Sequence, residues 1–138
     1  MQIVVIDGQG GQLGSVLVKE ILSAHPAASL TAIGTNAIAT AAMLKAGAKN
    51  GATGENPVRV AARDADVIIG PIGIVVADSM LGEITPDMAR AVGESRAMRI
   101  LIPLNRCETL VAGVDSLNMA ALVSDAMAKL SRIADAKK

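Results

Sequence analysis

Phenylalanine, tyrosine and tryptophan are absent from this sequence. Its interior must therefore be assembled from Val, Ile, Leu, Ala and seven Met. The tyrosine that short-chain dehydrogenases use as proton donor is missing too, which excludes that mechanism. A single cysteine forbids an internal disulfide and fits a cytoplasmic location. With one histidine beside it, the chain cannot furnish the ligands of a zinc centre, and no metal site is expected.

Net charge is lacking as well: Lys plus Arg and Asp plus Glu both total 13. The long-range field that gathers nucleic acid or anionic lipid is thus absent, so neither is an expected partner. No apolar run approaches the length of a membrane-spanning helix. The opening MQIVVIDGQGG carries no charged leader and breaks at once into glycines, so no secretion signal is expected.

What the chain has in excess is aliphatic surface. Hydrophobic residues make up 51% and mean hydropathy is +0.46, high for a small domain, which predicts a homo-oligomer that keeps the surplus dry. At 138 residues one core is the default, so residues 1–138 are expected to form a single domain.

Apolar patterning predicts alternating strands and helices. Residues 2–6 form a nearly continuous β-branched run, the mark of a strand covered on both faces. From Gln12, residues Leu13, Val16, Leu17, Ile21 and Leu22 recur at helical spacing. Residues 30–34 predict a second strand, 37–46 a second helix, and Gly47, Gly51 and Gly54 bound a short third strand. A brief crossover at 58–63 leads to a fourth strand at 66–70 and a long apolar connection at 71–84. Thr85-Pro86-Asp87 then starts a helix reaching about Ala97. A fifth strand is expected at 100–104, a possible sixth at 109–114, and a last helix capped by Asp115 or Ser116.

The result is an α/β fold: a three-layer, doubly wound, mostly parallel sheet of Rossmann-like type, with strand order 3-2-1-4-5. Ligands of such sheets bind beyond the carboxyl ends of the strands, where strand order reverses.

Gly8, Gly11 and Gly14 show the spacing G-x-x-G-x-x-G between the first strand and helix, and Gly8 with Gly10 opens G-x-G. Such a turn brings backbone amides close to an anion at a helix mouth, so a nucleotide is the expected ligand. The expected binding residues are Asp7, Gly8, Gln9, Gly10, Gly11, Gln12, Leu13 and Gly14. The alternative is a glycine loop that only closes the crossover.

The fingerprint's ribose carboxylate is missing, because no Asp or Glu stands between Glu20 and Glu55. Thr35 and Asn36 hold that place as donors to a 2′-phosphate or as helix caps. NADP or NAD is the expected cofactor, NADP slightly ahead, with another nucleotide open.

Other residues fall at the same edge. Glu55 and Asn56 in GATGENP are positioned to reach base or sugar, and Gly70 at the end of the fourth strand and Pro71 at the start of the connection are expected at the crevice. Asp78, Ser79 and Glu83 are the strongly polar groups of the apolar connection. Asp78 and Glu83 join Arg106 and Cys107 as candidates for chemistry, with dimer contact or salt bridging as rivals. Asn105 and Arg106 are also expected to contact the cofactor. Asp64 and Asp66 precede the fourth strand and read as structural. His25 follows the first helix, on the far side from Cys107, which excludes Cys-His and Ser-His-Asp hydrolysis.

The segments DGQGG, IGTNAIATAAMLKAGA, GATGENP, RDADVIIGPIGIV, ADSMLGEITP and IPLNRC together resemble a family of short bacterial proteins of unknown function. The resemblance spans nearly the whole chain and implies a Rossmann-like fold without implying a reaction. Two functions follow: a nucleotide-binding protein, such as a small oxidoreductase or oxidoreductase subunit, or a non-catalytic sensor or assembly module using the same crevice.

Overall fold

A computed structural model describes residues 1–104, 108–114 and 118–138. The strands are β1 (Gln2–Asp7), β2 (Ser29–Gly34), β3 (Asn50–Thr53), β4 (Val67–Pro71) and β5 (Met98–Ile102). The helices are α1 (Gln12–Ala24), α2 (Ala37–Lys45), α3 (Glu55–Asp64), α4 (Pro86–Glu94) and α5 (Met119–Ala136), with a 3-10 turn at Ile72–Val75 after β4. All pairings among the described strands are parallel, in the order β3-β2-β1-β4-β5.

Alternation along β1 builds the layers. Ile3 and Val5 enter one core with Leu13, Leu17 and Ile21 of α1, Met43 of α2 and Leu130 of α5. Val4 and Ile6 point the other way, into a core with Val58 of α3 and Met88 and Val92 of α4. A strand apolar on both faces thus lies at the centre of a three-layer sandwich, as continuous β-branched runs require. The register sets Asp7 beside Gly34 and Val5 beside Ile69, so the ends of β1, β2 and β4 meet at one edge.

Several local expectations need correction. Residues 109–114 form no strand and turn at Ala112 and Gly113 instead. The brief crossover at 58–63 is the interior of a full helix, because Glu55 to Pro57 belong to the first turn of α3. A proline there lacks only an amide that would have had no partner anyway. The helix opened by Thr85 ends at Glu94, not near Ala97, with Ser95 after it in extended conformation. Asp115 and Ser116 lie outside the described residues, and α5 is capped by Asn118, whose side chain accepts from the Ala121 amide at 3.1 Å.

The apolar connection 71–84 belongs partly to the core: Ile74, Met80 and Ile84 are buried in the second cluster. Its composition reflects packing under α4 as well as any outward contact. Asp66, at the opposite edge, is structural as expected. It accepts from the Gln2 amide at 2.7 Å and pairs with Lys137 at 2.7 Å. His25 meets Ser131 at 3.2 Å on α5. None of the described helices is long and apolar enough to cross a membrane.

Gly70 fixes the approach of β4 to β1. A Cβ there would stand 2.2 Å from the Ile6 carbonyl oxygen, a clash with backbone in the centre of the sheet. Gly70→Ala is therefore expected to cost about 3 kcal/mol or more, read from the urea midpoint. A loss under about 1 kcal/mol would contradict this packing.

Candidate functional site

The site begins with the carboxylate of Asp7, the last residue of β1. It is buried, and both its oxygens are used: Oδ1 accepts from the Gly8 amide at 2.8 Å and Oδ2 from the Gly14 amide at 2.6 Å. Gly11 stands before α1 with φ 72° and no side-chain cap, so Asp7 does from outside what a capping side chain would do. The left-handed backbone of Gly11 and its contact with Ala39, whose Cα would lie 2.8 Å from a Cβ, both demand glycine. The Gly11 amide closes the turn on the Gly8 carbonyl at 2.9 Å. Asp7 thus shapes the turn, with each of its oxygens bonded to a turn amide.

Three amides of the turn remain. Those of Gly10, Gln12 and Leu13 have no acceptor among the described residues, and a Cβ on Gly10 would meet nothing within 4 Å. They lie at the mouth of α1, beside the reversal between β1 and β4. Gly8 is closed off, because a Cβ there would meet Met80 Sδ at 2.6 Å, Thr35 Oγ1 at 2.7 Å and Glu83 Oε1 at 3.2 Å.

Glu83 connects the sequence-predicted residues. Its Oε1 accepts from the Gln9 amide at 2.8 Å, the Thr35 hydroxyl at 2.6 Å and the Asn36 side-chain amide at 2.7 Å. Asn36 also donates to the Gln9 carbonyl at 3.0 Å, while its Oδ1 caps α2 by accepting from Ala39 at 2.9 Å. The capping role expected for Asn36 is therefore present. The donors on which a 2′-phosphate would rely are already turned to a carboxylate, which removes the ground for placing NADP ahead of NAD. The Glu83 contact escaped sequence reasoning because it joins residues 47 and 48 positions apart.

The other candidates separate. Glu55 starts α3 and accepts from the Thr85 hydroxyl at 2.5 Å, which in turn caps α4, so it ties two helices together. Asn56 is exposed on α3, not on a loop. Ser79 is buried and donates to the Gly73 carbonyl at 2.6 Å, holding the connection in place. Asp78 is exposed, with φ 64°, and its amide bonds to the Ile84 carbonyl at 2.8 Å. Gly70 and Pro71 are buried at the end of β4. Asn105, Arg106 and Cys107 lie outside the described residues. Among the described residues, no group of His, Cys, Asp and Glu is placed to hold a metal.

Two grooves lie elsewhere. One, of about 550 Å³ between α3 and α4, is lined by Arg59, Arg63, Arg90 and Arg96 among others. The second, of about 530 Å³, is a more apolar groove between β5 and α5. Neither includes a predicted site residue.

The two crevice carboxylates are displaced in opposite directions. Burial pushes Asp7 above the usual carboxylate range against its two amide bonds, and the neighbouring Glu83 charge adds to the rise. Burial also pushes Glu83 upward, but Thr35, Gln9 and Asn36 outweigh it and leave that carboxyl below its ordinary value. The signs follow by linkage. Asp7 holds its proton longer in the folded chain, so its contribution to stability falls as pH rises through its raised value. Glu83 contributes fully above the ordinary glutamate value, and that contribution is lost as pH falls through its depressed one. Glu83→Gln is expected to flatten this acid limb when urea midpoints are followed against pH; an unchanged limb would show that the three bonds do not favour the charged form.

A dodecameric FMN-dependent UbiX-like decarboxylase from Escherichia coli O157:H7 is similar to this chain, at 16% identity over 97% of this chain and 76% of the other, with a TM-score of 0.45. A search of curated proteins returns no significant match. A family model for a domain of unknown function, DUF3842, matches residues 2–135. With nearly its whole length matched, the chain belongs to the DUF3842 family.

Proposed function

We propose that this chain binds a nucleotide, NADP or NAD first among candidates, through its phosphate at the mouth of α1. The observation that carries the reading is the set of amides at Gly10, Gln12 and Leu13 without an acceptor among the described residues, at the strand-order reversal of a parallel sheet. Amides at a helix start concentrate positive potential, and an oxyanion placed there gains hydrogen bonds without a cationic side chain. The open space at Gly10 leaves room for the approach.

A role in sensing or assembly, not catalysis, has its own support. Asp7 is buried with each oxygen bonded to the turn, and three donors converge on one oxygen of Glu83, so both carboxylates have a part in shaping the crevice. Leu81, on the same connection as Glu83, is 99% exposed and stands ready to meet a partner chain. In the enzymatic alternative, the chain is a small oxidoreductase or oxidoreductase subunit, with Asp78, exposed on the connection after β4, as a candidate for its chemistry.

A chain without aromatic residues is nearly transparent in the near ultraviolet, so a band in freshly purified protein reports a retained ligand that mass spectrometry can name. Thermal shifts against NAD, NADP, FAD, ATP and S-adenosylmethionine extend the search. Saturation at 100 times the dissociation constant stabilises by about 2.7 kcal/mol. Gly10→Val hangs a side chain over the open amides where the fold has space, and is expected to abolish the shift while leaving the unliganded midpoint nearly unchanged. A full shift in that variant would place the ligand elsewhere.

A further inference from the structure

In parallel sheets of this type, a phosphate at the mouth of the first helix sets the ribose beyond the end of the second strand, where a carboxylate takes its hydroxyls. Here β2 ends at Gly34 and is followed by Thr35 and Asn36, with no acid in residues 21–54. The sequence lacks the group; the fold does not. Glu83 arrives at that place from the connection between β4 and α4, bonded to Thr35 and Asn36 after β2 and to Gln9 in the glycine turn.

The manner of its holding gives the carboxylate a direction. All three donors converge on Oε1. Oε2 takes no donor among the described residues, yet no buried side-chain oxygen of the described residues is unsatisfied, so Oε2 is open to solvent. The support is firm on both sides of Glu83. Met80 and Ile84 are buried, the Asp78 amide bonds to the Ile84 carbonyl, and Ser79 is tied to Gly73. An anchored carboxylate with one free oxygen is an acceptor held in advance of its ligand.

We infer that Glu83 is the ribose-reading residue of this site, and that the ligand is a nucleotide with unsubstituted ribose hydroxyls, not a 2′-phosphorylated one. The inference rests on the nucleotide reading above. Oε2 accepts a hydroxyl hydrogen, whereas a 2′-phosphate would bring further negative charge against it. The side chains of Thr35 and Asn36 offer that phosphate no relief, because their donors are committed to Oε1 and the Gln9 carbonyl.

Isothermal titration of the wild-type chain with two matched pairs tests this: NAD against NADP, and AMP against adenosine 2′,5′-bisphosphate. The unphosphorylated ribose of each pair is expected to bind about tenfold more tightly or better. Glu83→Gln retains an oxygen for the three donors but presents an amide NH2 where Oε2 stood, turning an acceptor into a donor. In that variant, with its fold verified by circular dichroism, NAD is expected to weaken about tenfold and the ratio within each pair to narrow to about threefold or less. Equal binding within each pair by the wild type, or an unchanged ratio in the variant, would overturn the inference and leave nucleotide binding intact. Tighter binding of all four ligands by the variant would make Glu83 a stopper and overturn it equally. If the wild type binds none of the four, the nucleotide reading falls and takes this inference with it.

Discussion

The architecture at the ligand edge depends on one buried carboxylate. Asp7 bridges the amides of Gly8 and Gly14, pinning the exit of β1 to the first turn of α1. Burying a charge is costly unless its oxygens are satisfied, and here each oxygen has an amide donor. Burial still outweighs the two bonds and holds the carboxyl above its usual range. The bridge joins the exit of β1 to the first turn of α1, and the amides of Gly10, Gln12 and Leu13 are left without an acceptor among the described residues.

Glu83 stands on the other side of the turn, and the pair divides the labour. Asp7 is buried and pushed upward, while Glu83 is only partly covered and held charged by three donors. In the proposed reading, this arrangement sets the Glu83 charge toward the ribose and the unpartnered amides of the turn toward the phosphate of a nucleotide. Its cost is borne by backbone geometry: Asp78, Met80 and Leu81 all have φ near 60°, as does Gln9 in the turn. Such conformations persist because Met80 and Ile84 anchor the connection in the core below.

Most of the fold was legible in the sequence, since periodicity is a local signal. The β-branched run of β1, the helical spacing of α1, the strand order and the Thr85-Pro86-Asp87 start of α4 all depend on neighbours a few positions apart. The misreadings have equally local causes. Gly54 and Pro57 carry turn signals, yet one precedes α3 and the other sits harmlessly in its first turn. Residues 109–114 have strand-like composition, but Gly113 adopts φ 84° and the chain turns there. In the site, the glycine spacing was readable and the Glu83 contact was not. A carboxylate that serves the end of β2 from beyond β4 leaves no mark at the position where a sequence motif would seek it. The apolar excess has a similar lesson, because the connection after β4 is apolar for a loop and its Ile74, Met80 and Ile84 fill the second core.

Amide NMR of the 14.0 kDa chain reaches the central claim most directly, since it observes the proposed donors themselves. On addition of NAD, the account predicts that the Gly10, Gln12 and Leu13 amide resonances move together and saturate at one dissociation constant, while those of Gly8 and Gly14, already bonded to Asp7, move little. Saturable binding that leaves Gly10, Gln12 and Leu13 in place, with shifts concentrated in the α3–α4 or β5–α5 groove, would contradict it.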